Sequence, residues 1–292
     1  MVTLDSYPDA ENVGVVVAKE RGFFADAGIR VWAGRPAWPS KAVDYVASGV
    51  NDIGLAHLPQ VLIAKDLGPH LVVVGTVVSQ PTTAMIWLKG SNIRSISDLK
   101  GKTIATAGIP YQEVFLKRVL EQAGLTLADV TVKTVSYRLI STLTEGKADA
   151  IFGGSWNLEG KALEARGFKP VVKRAHDLGI PAYDELVVIA RSKCVAKYPE
   201  VARRFMAALS RGMSTAVKHP EEALKALEKE ILSNPEATPM TTRSELKATL
   251  PLLSKSGRFA PSAATGLIDW MYGQGIIQHR LAFARLAAPW ER

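Results

Sequence analysis

The sequence predicts an α/β fold of two lobes that face each other across a cleft and are joined by two chain crossings. Three observations lead to this prediction. The 292 residues are close to the upper limit for a single hydrophobic core. Short apolar runs alternate with helical stretches up to residue 78, and the same alternation starts again near residue 98. A further apolar run, at residues 186–190, precedes a helical C-terminal part.

The first set of elements predicts a mostly parallel sheet covered by helices. Strand-like runs occupy residues 2–4, 29–32, 53–56 and 71–78, and a helical stretch occupies residues 12–21. The run at 71–78 is continuous and rich in β-branched residues, which is typical of a strand buried on both faces. The β-α-β order favours parallel strands with helical connections.

The second set follows the same order. We predict strands and helices in alternation at residues 103–106, 111–123, 130–135, 139–144 and 148–152. One local pattern occurs in both sets, because a helix end, a glycine and an aspartate precede a buried strand at 47–54 and at 144–151. This repeated pattern indicates two lobes of similar design. The alternative is that a common helix-to-strand turn occurs twice by chance.

The strand at residues 186–190 decides how the lobes are connected. A second unit that was simply appended would need no strand there, so we expect this strand to return the chain to the first lobe. Crossings near residues 85–87 and 186–187 would give one lobe of residues 1–86 plus 188–292 and another of residues 87–187. Ligands of open α/β sheets bind beyond the carboxyl ends of the strands, so the cleft between the lobes is the expected site.

Four helices with apolar residues at helical spacing complete the chain. They are predicted at residues 199–217, from residue 221 onward, at 243–253 and at 263–273.

The composition excludes several classes of protein. The formal net charge of +8 comes from scattered lysines and arginines, so we predict no nucleic-acid partner. Cys194 is the single cysteine, which excludes an internal disulfide and a cysteine-built metal site. No run of about 18 apolar residues occurs, and no basic and apolar leader stands at the start. We expect either a cytosolic protein or a mature domain without its signal peptide.

Motifs for catalysis are missing from the sequence. It holds no G-x-S-x-G, H-E-x-x-H or P-loop pattern, and its five histidines are far apart. We therefore predict a monomeric binding protein without enzymatic activity, metal or cofactor.

Aromatic and hydrogen-bonding residues recur in the loops that follow the predicted strands. A flat heteroaromatic ligand needs this mixture, because rings stack on it and amides or carboxylates bind its edge. The candidate ligand-binding residues are Asp5, Tyr7, Asn12, Trp38, His57, Gly108, Tyr111, Trp156, Asn157, Glu159, Tyr183 and Glu185. Each also has a structural interpretation, such as inter-lobe packing for Trp156, a helix cap for Asn12, a turn for Gly108 and ion pairs for Glu159 and Glu185.

Five segments resemble one branch of the ABC-importer substrate-binding proteins. They are GVVVAKERGFF at 14–24, DLKGK at 98–102, WNLEG at 156–160, YDELV at 183–187 and IDWMY at 268–272. The first two are similar to segments of binding proteins for sulfonates, nitrate and pyrimidines, and therefore indicate only the fold. The segments at 156–160 and 183–187 are narrower and resemble the thiamine-precursor, or formylaminopyrimidine, binding branch, which is related to a eukaryotic pyrimidine synthase.

The resemblance implies a type II periplasmic-binding-protein fold that closes around an aminopyrimidine and delivers it to ABC permease subunits in the membrane. It also implies a periplasmic or membrane-anchored extracellular location. By match to the family's motifs, the first lobe would contribute Asp5, Tyr7 and Asn12. The second lobe would contribute Trp156, Asn157 and Glu159. Tyr183 and Glu185 would lie at the hinge, where the Glu185 carboxylate would accept the amino group of the pyrimidine.

Two positions depart from the family pattern, since Ser6 and Asp184 stand where aromatic residues are common. The alternatives are therefore a riboflavin-binding protein or a sulfonate- or nitrate-type anion-binding protein of the same fold. A pyrimidine-synthesising enzyme is the least favoured, because the cysteine-rich segment of that chemistry is missing.

Overall fold

The computed structural model describes residues 1–39, 41–68, 70–231, 234 and 236–291. Within these ranges the strands are β1 (Val2–Thr3), β2 (Ala33–Gly34), β3 (Ile53–His57), β4 (Leu71–Val78), β5 (Thr83–Leu88), β6 (Thr103–Thr106), β7 (Thr131–Thr134), β8 (Ala150–Ser155), β9 (Pro170–Arg174) and β10 (Leu186–Arg191).

The helices surround these strands. In chain order they are α1 (Val13–Glu20), α2 (Phe23–Asp26), α3 (Lys41–Ser48), α4 (Leu58–Asp66), α5 (Pro110–Gln122), α6 (Leu139–Thr144), α7 (Glu159–Ala165), α8 (Ser192–Lys197), α9 (Pro199–Lys218), α10 (Pro220–Glu230), α11 (Pro239–Thr249), α12 (Thr265–Gly273) and α13 (Phe283–Leu286). No described helix is both long enough and apolar enough to cross a bilayer.

The strands form two five-stranded sheets of mixed direction. The first sheet has the order β2-β1-β3-β10-β4 and the second has the order β7-β6-β8-β5-β9. In each sheet one inner strand runs antiparallel to both neighbours, namely β10 in the first and β5 in the second. These reversed strands are the ones that the chain forms directly after changing sheets. The prediction of two α/β lobes is confirmed, and so is the return of the chain through the strand at 186–190.

The first crossing lies a few residues before the predicted one. We expected it near residues 85–87, but β5 pairs with β8 and β9 from Thr83 onward and so belongs wholly to the second sheet. The chain changes sheets at residues 79–82, and it returns between β9 and the first residue of β10, Leu186. We therefore move the proposed lobe boundaries from 86/87 and 187/188 to these two connections.

The buried strands match their predictions better than the edge strands. The predicted bounds of β4, β6 and α6 agree with the structure. By contrast, the run at residues 29–32 forms no strand, and β2 begins only at Ala33. Trp32 of that run is 76% exposed, so its apolar character wrongly suggested a strand buried in the sheet. The edge strand β9 was not predicted, because it is short and only partly buried.

Candidate ligand-binding cleft

A cavity lies between the two sheets, at the carboxyl ends of their strands. Asp5 follows β1, His57 ends β3, Ala107 follows β6, and Gly153 and Ser155 end β8, and all of them line it. Its volume is about 850 Å³ with the solvent at its mouth included. Both sheets thus contribute to this cavity the ends at which open α/β sheets bind ligands.

Carboxyl groups dominate the lining of this cleft. The acidic residues that line it are Asp5, Asp9, Glu11, Glu159, Glu236 and Glu245. Within the described part of the chain, no lysine or arginine lines it, and His57 is its one basic residue. The cleft therefore favours hydrogen-bond donors and positive charge, although the whole chain has a formal net charge of +8.

Burial makes ionisation of these carboxyl groups unfavourable. Burial and then the charge of Asp5 raise the pKa of Asp9 to about 7. Burial and then the charge of Asp9 raise the pKa of Glu11 to about 8. Burial raises the pKa of Glu159 to about 7, and burial together with the charge of Asp9 raises that of Glu245 to about 8. Near neutral pH these groups retain protons that exposed carboxyl groups have lost.

A hydrogen-bonded loop after β1 carries three of these acids. Asp9 Oδ1 accepts hydrogen bonds from the backbone N–H of Glu11 at 2.8 Å and from Asn12 Nδ2 at 3.2 Å. Ser6 Oγ donates to Asp9 Oδ2 at 2.5 Å. Asn12 Nδ2 also donates to the carbonyl of Tyr7 at 3.1 Å, and Asn12 Oδ1 accepts from the Asp9 backbone N–H. The Asn12 side chain thus fixes this loop and forms no helix-cap hydrogen bond.

A row of three ionisable residues connects the cleft to the hinge. His57 Nδ1 lies 3.0 Å from Glu185 Oε1, and His57 Nε2 lies 3.9 Å from Asp5 Oδ2. Burial opposes protonation of His57, but the hydrogen bond and charge of Glu185 outweigh it and raise the histidine pKa to about 9. His57 is therefore an imidazolium at neutral pH. Asp5 Oδ1 is buried and has no hydrogen-bond partner among the described residues.

Glu185 joins the two crossings. Its Oε2 accepts from the backbone N–H of Thr82 at 2.7 Å and of Thr83 at 3.0 Å, and from the Tyr183 hydroxyl at 3.0 Å. Its Oε1 accepts from His57 and from the Thr83 hydroxyl. Burial opposes its ionisation, but the hydrogen bond from His57 holds the Glu185 pKa below its usual value. Five donors occupy this carboxylate, so it is a structural part of the hinge.

The lobes also contact each other on the far side of the cleft. Asn157 Nδ2, just before α7, donates to Glu11 Oε1 at 3.0 Å and to Thr249 Oγ1 at 2.8 Å. Glu236 Oε1 accepts from the backbone N–H of Ser141 at 2.8 Å. These bonds join the second lobe to both the N-terminal and C-terminal parts of the first.

Two tyrosines meet where the lobes close over the cleft. The rings of Tyr7 and Tyr137 pack edge to face with centroids 4.7 Å apart. The guanidinium carbon of Arg35 lies 4.4 Å from the centroid of Tyr7. The Tyr137 hydroxyl donates to the carbonyl of Pro36 at 3.0 Å, which ties the second lobe to the loop before α3. Both tyrosines line the cleft, so a flat ligand would meet an aromatic face there.

The second lobe shapes its side of the cleft with a tight backbone turn. Gly153 has φ +79°, and a Cβ there would lie 2.4 Å from Gln112 Nε2. Gln112 Nε2 donates to the Gly153 carbonyl at 2.9 Å, and Gln112 Oε1 accepts from the backbone N–H of Ile109. Nearby, Glu159 Oε2 accepts from the Ser155 backbone N–H at 2.6 Å. Close packing thus requires glycine at position 153.

A model of the family described as NMT1/THI5 like matches residues 9–223. The chain belongs to this family. A formylaminopyrimidine-binding protein of Halalkalibacterium halodurans is 34% identical over 231 residues, which cover 77% of this chain and 68% of that protein. A protein of Haemophilus influenzae named for thiamine biosynthesis is 29% identical over 99% of this chain and 91% of its own length.

Other relatives of the chain are named as enzymes. The 4-amino-5-hydroxymethyl-2-methylpyrimidine phosphate synthase of Candida albicans is 26% identical over 223 residues, which cover 73% of this chain and 65% of the enzyme. Family membership alone therefore does not separate binding from synthesis.

Solved structures confirm the predicted periplasmic-binding-protein fold. The aliphatic sulphonate binding protein SsuA of Escherichia coli superposes with a TM-score of 0.76 over 98% of this chain and 96% of its own, at 18% sequence identity. A Bordetella bronchiseptica protein superposes with a TM-score of 0.81 over 98% of this chain and 93% of its own, also at 18% identity. At this identity the likeness concerns the fold alone.

Four of the predicted site residues line the cleft of this family member, namely Asp5, Tyr7, His57 and Glu159. Their roles as ligand contacts stay predictions. Asn12, Asn157 and Glu185 lie beside the cleft. The side chains of Asn12 and Glu185 are occupied by the hydrogen bonds described above. Asn157 donates through Nδ2, but its buried Oδ1 has no hydrogen-bond partner among the described residues.

The other predicted residues lie outside the lining of the cleft. Tyr111 is buried against His57, with ring centroids 5.6 Å apart. Tyr183 donates to Glu185. Trp156 Nε1 donates to the carbonyl of Pro81 at 3.2 Å. The remaining two are Gly108, which has φ +80°, and Trp38, which is 54% exposed.

Sequence reasoning missed most of the acidic lining. Glu11 precedes α1, Glu236 precedes α11, and Glu245 lies within α11, so none of these follows a strand. Tyr137 follows β7 and could have been found by the strand-end criterion that identified Tyr7. The glutamates carry no comparable signal, because acidic residues before and within helices are ordinarily exposed to solvent.

Proposed function

We propose that this chain is the substrate-binding protein of an ABC importer and that it captures a small, flat heterocycle bearing amino groups, of the aminopyrimidine class. The acidic lining of the cleft is the observation that supports this ligand class most directly. Amino groups and protonated ring nitrogens donate hydrogen bonds, and carboxyl oxygens accept them. Tyr7 and Tyr137 add aromatic faces for a flat ring.

The same observation argues against a sulfonate or nitrate ligand. An anion-binding cleft would present cationic side chains, whereas His57 is the one basic residue lining this cleft within the described ranges. The imidazolium of His57 is already paired with Glu185 at 3.0 Å. An anion entering the cleft would meet six carboxyl groups without a free positive partner.

Two further alternatives rank below the aminopyrimidine. Riboflavin is a flat heterocycle, but it is larger and presents carbonyl oxygens to carboxyl groups that favour donors.

Synthesis of a pyrimidine, as in the fungal relatives, would need a reactive site. The residues described here provide no group of three or more His, Cys, Asp or Glu side chains suited to a metal ion. We propose binding because the acidic and aromatic lining accounts for a flat ligand with amino groups.

Transport places further requirements on the molecule. In an importer, the permease distinguishes the closed, loaded clamp from the open, empty one. The two crossings and Glu185 supply a hinge for that motion. We propose a monomer that acts outside the cytoplasmic membrane, in the periplasm or anchored at the cell surface, together with ABC permease subunits.

Calorimetric titration tests this function. We expect heat and a raised melting temperature with 4-amino-5-hydroxymethyl-2-methylpyrimidine or its formylamino analogue, and none with ethanesulfonate or nitrate. Riboflavin is the control ligand, because it is flat but lacks the expected pattern of hydrogen-bond donors. Preferential binding of the sulfonate would overturn the proposal, and so would the absence of a response to every heterocycle. Mass spectrometry of small molecules released from the purified protein gives an independent identification.

A further inference from the structure

We propose that the cleft binds its heterocycle as an organic cation, and that buried carboxyl groups of the cleft give up protons so that the ligand's positive charge is matched. This inference rests on the proposed function and specifies its ligand further. It concerns the charge state of the bound molecule, which the aminopyrimidine class alone leaves open.

The first argument is that the cleft contains a buried acceptor without a partner. Asp5 is 5% exposed, and its Oδ1 has no hydrogen-bond partner among the described residues. Glu245 is 9% exposed and also lines the cleft, so its carboxyl group can contact a ligand there. A buried acceptor without a donor is costly, because it has lost water and gained nothing. A ligand that brings N–H groups and positive charge removes that cost.

The second argument is the set of charges around the acids on the loop after β1. Asp9 and Glu11 face Asp5 on their own loop. From β3 and β10, Glu11 faces the imidazolium of His57 and the carboxylate of Glu185, which neutralise each other as a 3.0 Å pair. The guanidinium of Arg35 lies against the Tyr7 ring, 4.4 Å from its centroid, and forms no ion pair with a described carboxylate.

The opposite side of the cleft adds further acids. Glu245 of α11 faces Asp9, Glu159 of α7, and the guanidinium of Arg166. Glu159 faces Glu236. Arg166 is only partly available to neutralise Glu245, because its Nη2 donates a hydrogen bond to the carbonyl of Glu236. The ligand-free cleft therefore cannot ionise all of its acids, and it retains protons until another cation arrives.

The raised pKa values are consistent with this arrangement. Asp9 and Glu159 have pKa values of about 7, and Glu11 and Glu245 of about 8. A cation within a few ångströms of such a carboxyl group lowers its pKa and favours loss of the proton.

The proton balance depends on the ligand. When a neutral, weakly basic aminopyrimidine enters, a carboxyl O–H bond breaks and a ring N–H bond forms. The proton thus passes from protein to ligand, and none is exchanged with solvent. When a permanently charged ligand enters, the carboxyl proton leaves to solvent. The two cases therefore differ by one proton released to solvent from the same site.

The charge state of the bound ligand can be observed directly. We would add ¹⁵N-labelled 4-amino-5-hydroxymethyl-2-methylpyrimidine to the protein at pH 7.5, where the free base is neutral, and record the ring-nitrogen chemical shift. We expect a bound ring nitrogen with the shift of the protonated form. Binding with the shift of the neutral base would overturn the inference but leave the proposed function intact.

A matched pair of probes tests the preference for charge independently of the natural ligand. Benzamidine and benzamide have nearly the same flat shape, but only benzamidine is a cation at neutral pH. We expect at least tenfold tighter binding of benzamidine, with release of about one proton, measured calorimetrically in phosphate and Tris buffers at pH 7. Equal affinities, or binding of neither probe, would contradict the cation preference.

Variants assign the effect to the cleft. Glu245→Gln should reduce the preference for benzamidine and the number of protons released, because the amide can neither ionise nor release a proton. Glu200→Gln, which removes an exposed acid of α9, is the control and should change neither quantity. An effect of equal size in both variants would point to general surface charge and overturn the assignment.

Discussion

Glu185 is the side chain on which the hinge depends most strongly. It accepts hydrogen bonds from the backbone of Thr82 and Thr83, from two hydroxyl groups and from the His57 ring. Because it is fully buried, no water can replace a lost partner. This explains why the position is a glutamate even though the carboxylate is not free to accept a ligand amino group.

We predict that Glu185→Gln lowers the free energy of unfolding by about 3 kcal/mol, because it leaves a buried imidazolium without its counter-ion. The pKa of His57 should fall from about 9 toward or below its ordinary value. Urea denaturation gives the first quantity and an NMR titration of His57 the second. Glu200→Gln is the surface control. An unchanged His57 titration would contradict the ion pair.

Trp156 and Tyr7 permit a matched test of stacking. The Trp156 ring faces the guanidinium of Arg174 at 3.8 Å and does not line the cleft, whereas Tyr7 does. We expect Tyr7→Ala to weaken aminopyrimidine binding by roughly 1–3 kcal/mol, as loss of an anchoring ring commonly does. Trp156→Ala should mainly reduce stability. Calorimetry and denaturation of both variants separate the two roles, and the reverse pattern would place the ligand against Trp156.

The sequence could predict residues that follow strands, but it could not predict partners assembled by closure. Asp5, Tyr7, His57 and Glu159 were found because each stands near the carboxyl end of a strand or just beyond the loop that follows one. Glu245 was missed because it lies within the helix α11 and does not follow a strand. The sequence also could not show that five donors occupy Glu185, since these come from separate segments.

At the scale of elements, the turn at the end of β8 holds the second lobe's side of the cleft. Gly153 and Gly167 both have positive φ, but a Cβ would meet Gln112 only at Gly153. We expect Gly167→Ala to cost about 1–2 kcal/mol through backbone strain alone. Gly153→Ala should cost more and also weaken ligand binding, because Gln112 must shift and lose its bond to the Gly153 carbonyl. Denaturation and calorimetry provide the comparison, and equal effects would contradict the packing argument.

The contact between α7 and α11 keeps the lobes together. Asn157→Ala removes the hydrogen bonds to Glu11 and Thr249, so the open form should become more populated without ligand. We expect a larger radius of gyration by small-angle X-ray scattering and binding that is about five- to tenfold weaker, equivalent to about 1–1.4 kcal/mol. The exposed Asn92→Ala is the control. A closed, ligand-free Asn157→Ala protein would contradict this role.

Elements in the centre of each sheet were predictable and those at the edges were not. β4 is buried along its whole length, and its apolar run marks it unambiguously. β2 and β9 have few backbone partners and partly exposed side chains, so their residues carry little hydrophobic pattern. The apolar residues of β5 were noticed but were interpreted as a crossing between the lobes. A strand inside a sheet and a strand that connects two lobes have similar amino-acid composition, so the sequence does not distinguish them.

For the whole molecule, the buried ionisable groups predict how stability depends on pH. The pKa values of Asp9, Glu11, Glu159 and Glu245 are raised, so the unfolded chain ionises these groups at lower pH than the folded chain does. Their contribution to stability therefore falls as pH rises from about 4 to about 8. The raised pKa of His57 acts in the same direction, because its contribution is complete below about 6.5 and is lost as pH passes about 9.

We therefore predict that the ligand-free protein melts at progressively lower temperature between pH 5 and pH 9. Thermal denaturation at constant ionic strength measures this trend. The Glu245→Gln variant should show a weaker dependence, because one titrating group has been removed. A melting temperature that rises from pH 5 to pH 8 would show that the cleft acids are ionised in the folded protein.

The central position of β10 has a consequence for synthesis. The first sheet cannot be completed until residues 186–191 have left the ribosome, because β10 lies between β3 and β4 and separates them. The second sheet, by contrast, is contained within residues 83–174 and can form while the rest is being translated. The inserted lobe is thus made whole first, and the strands that precede it must wait with their apolar faces uncovered. A nascent chain of this kind is exposed to chaperones and proteases for as long as those strands lack their central partner.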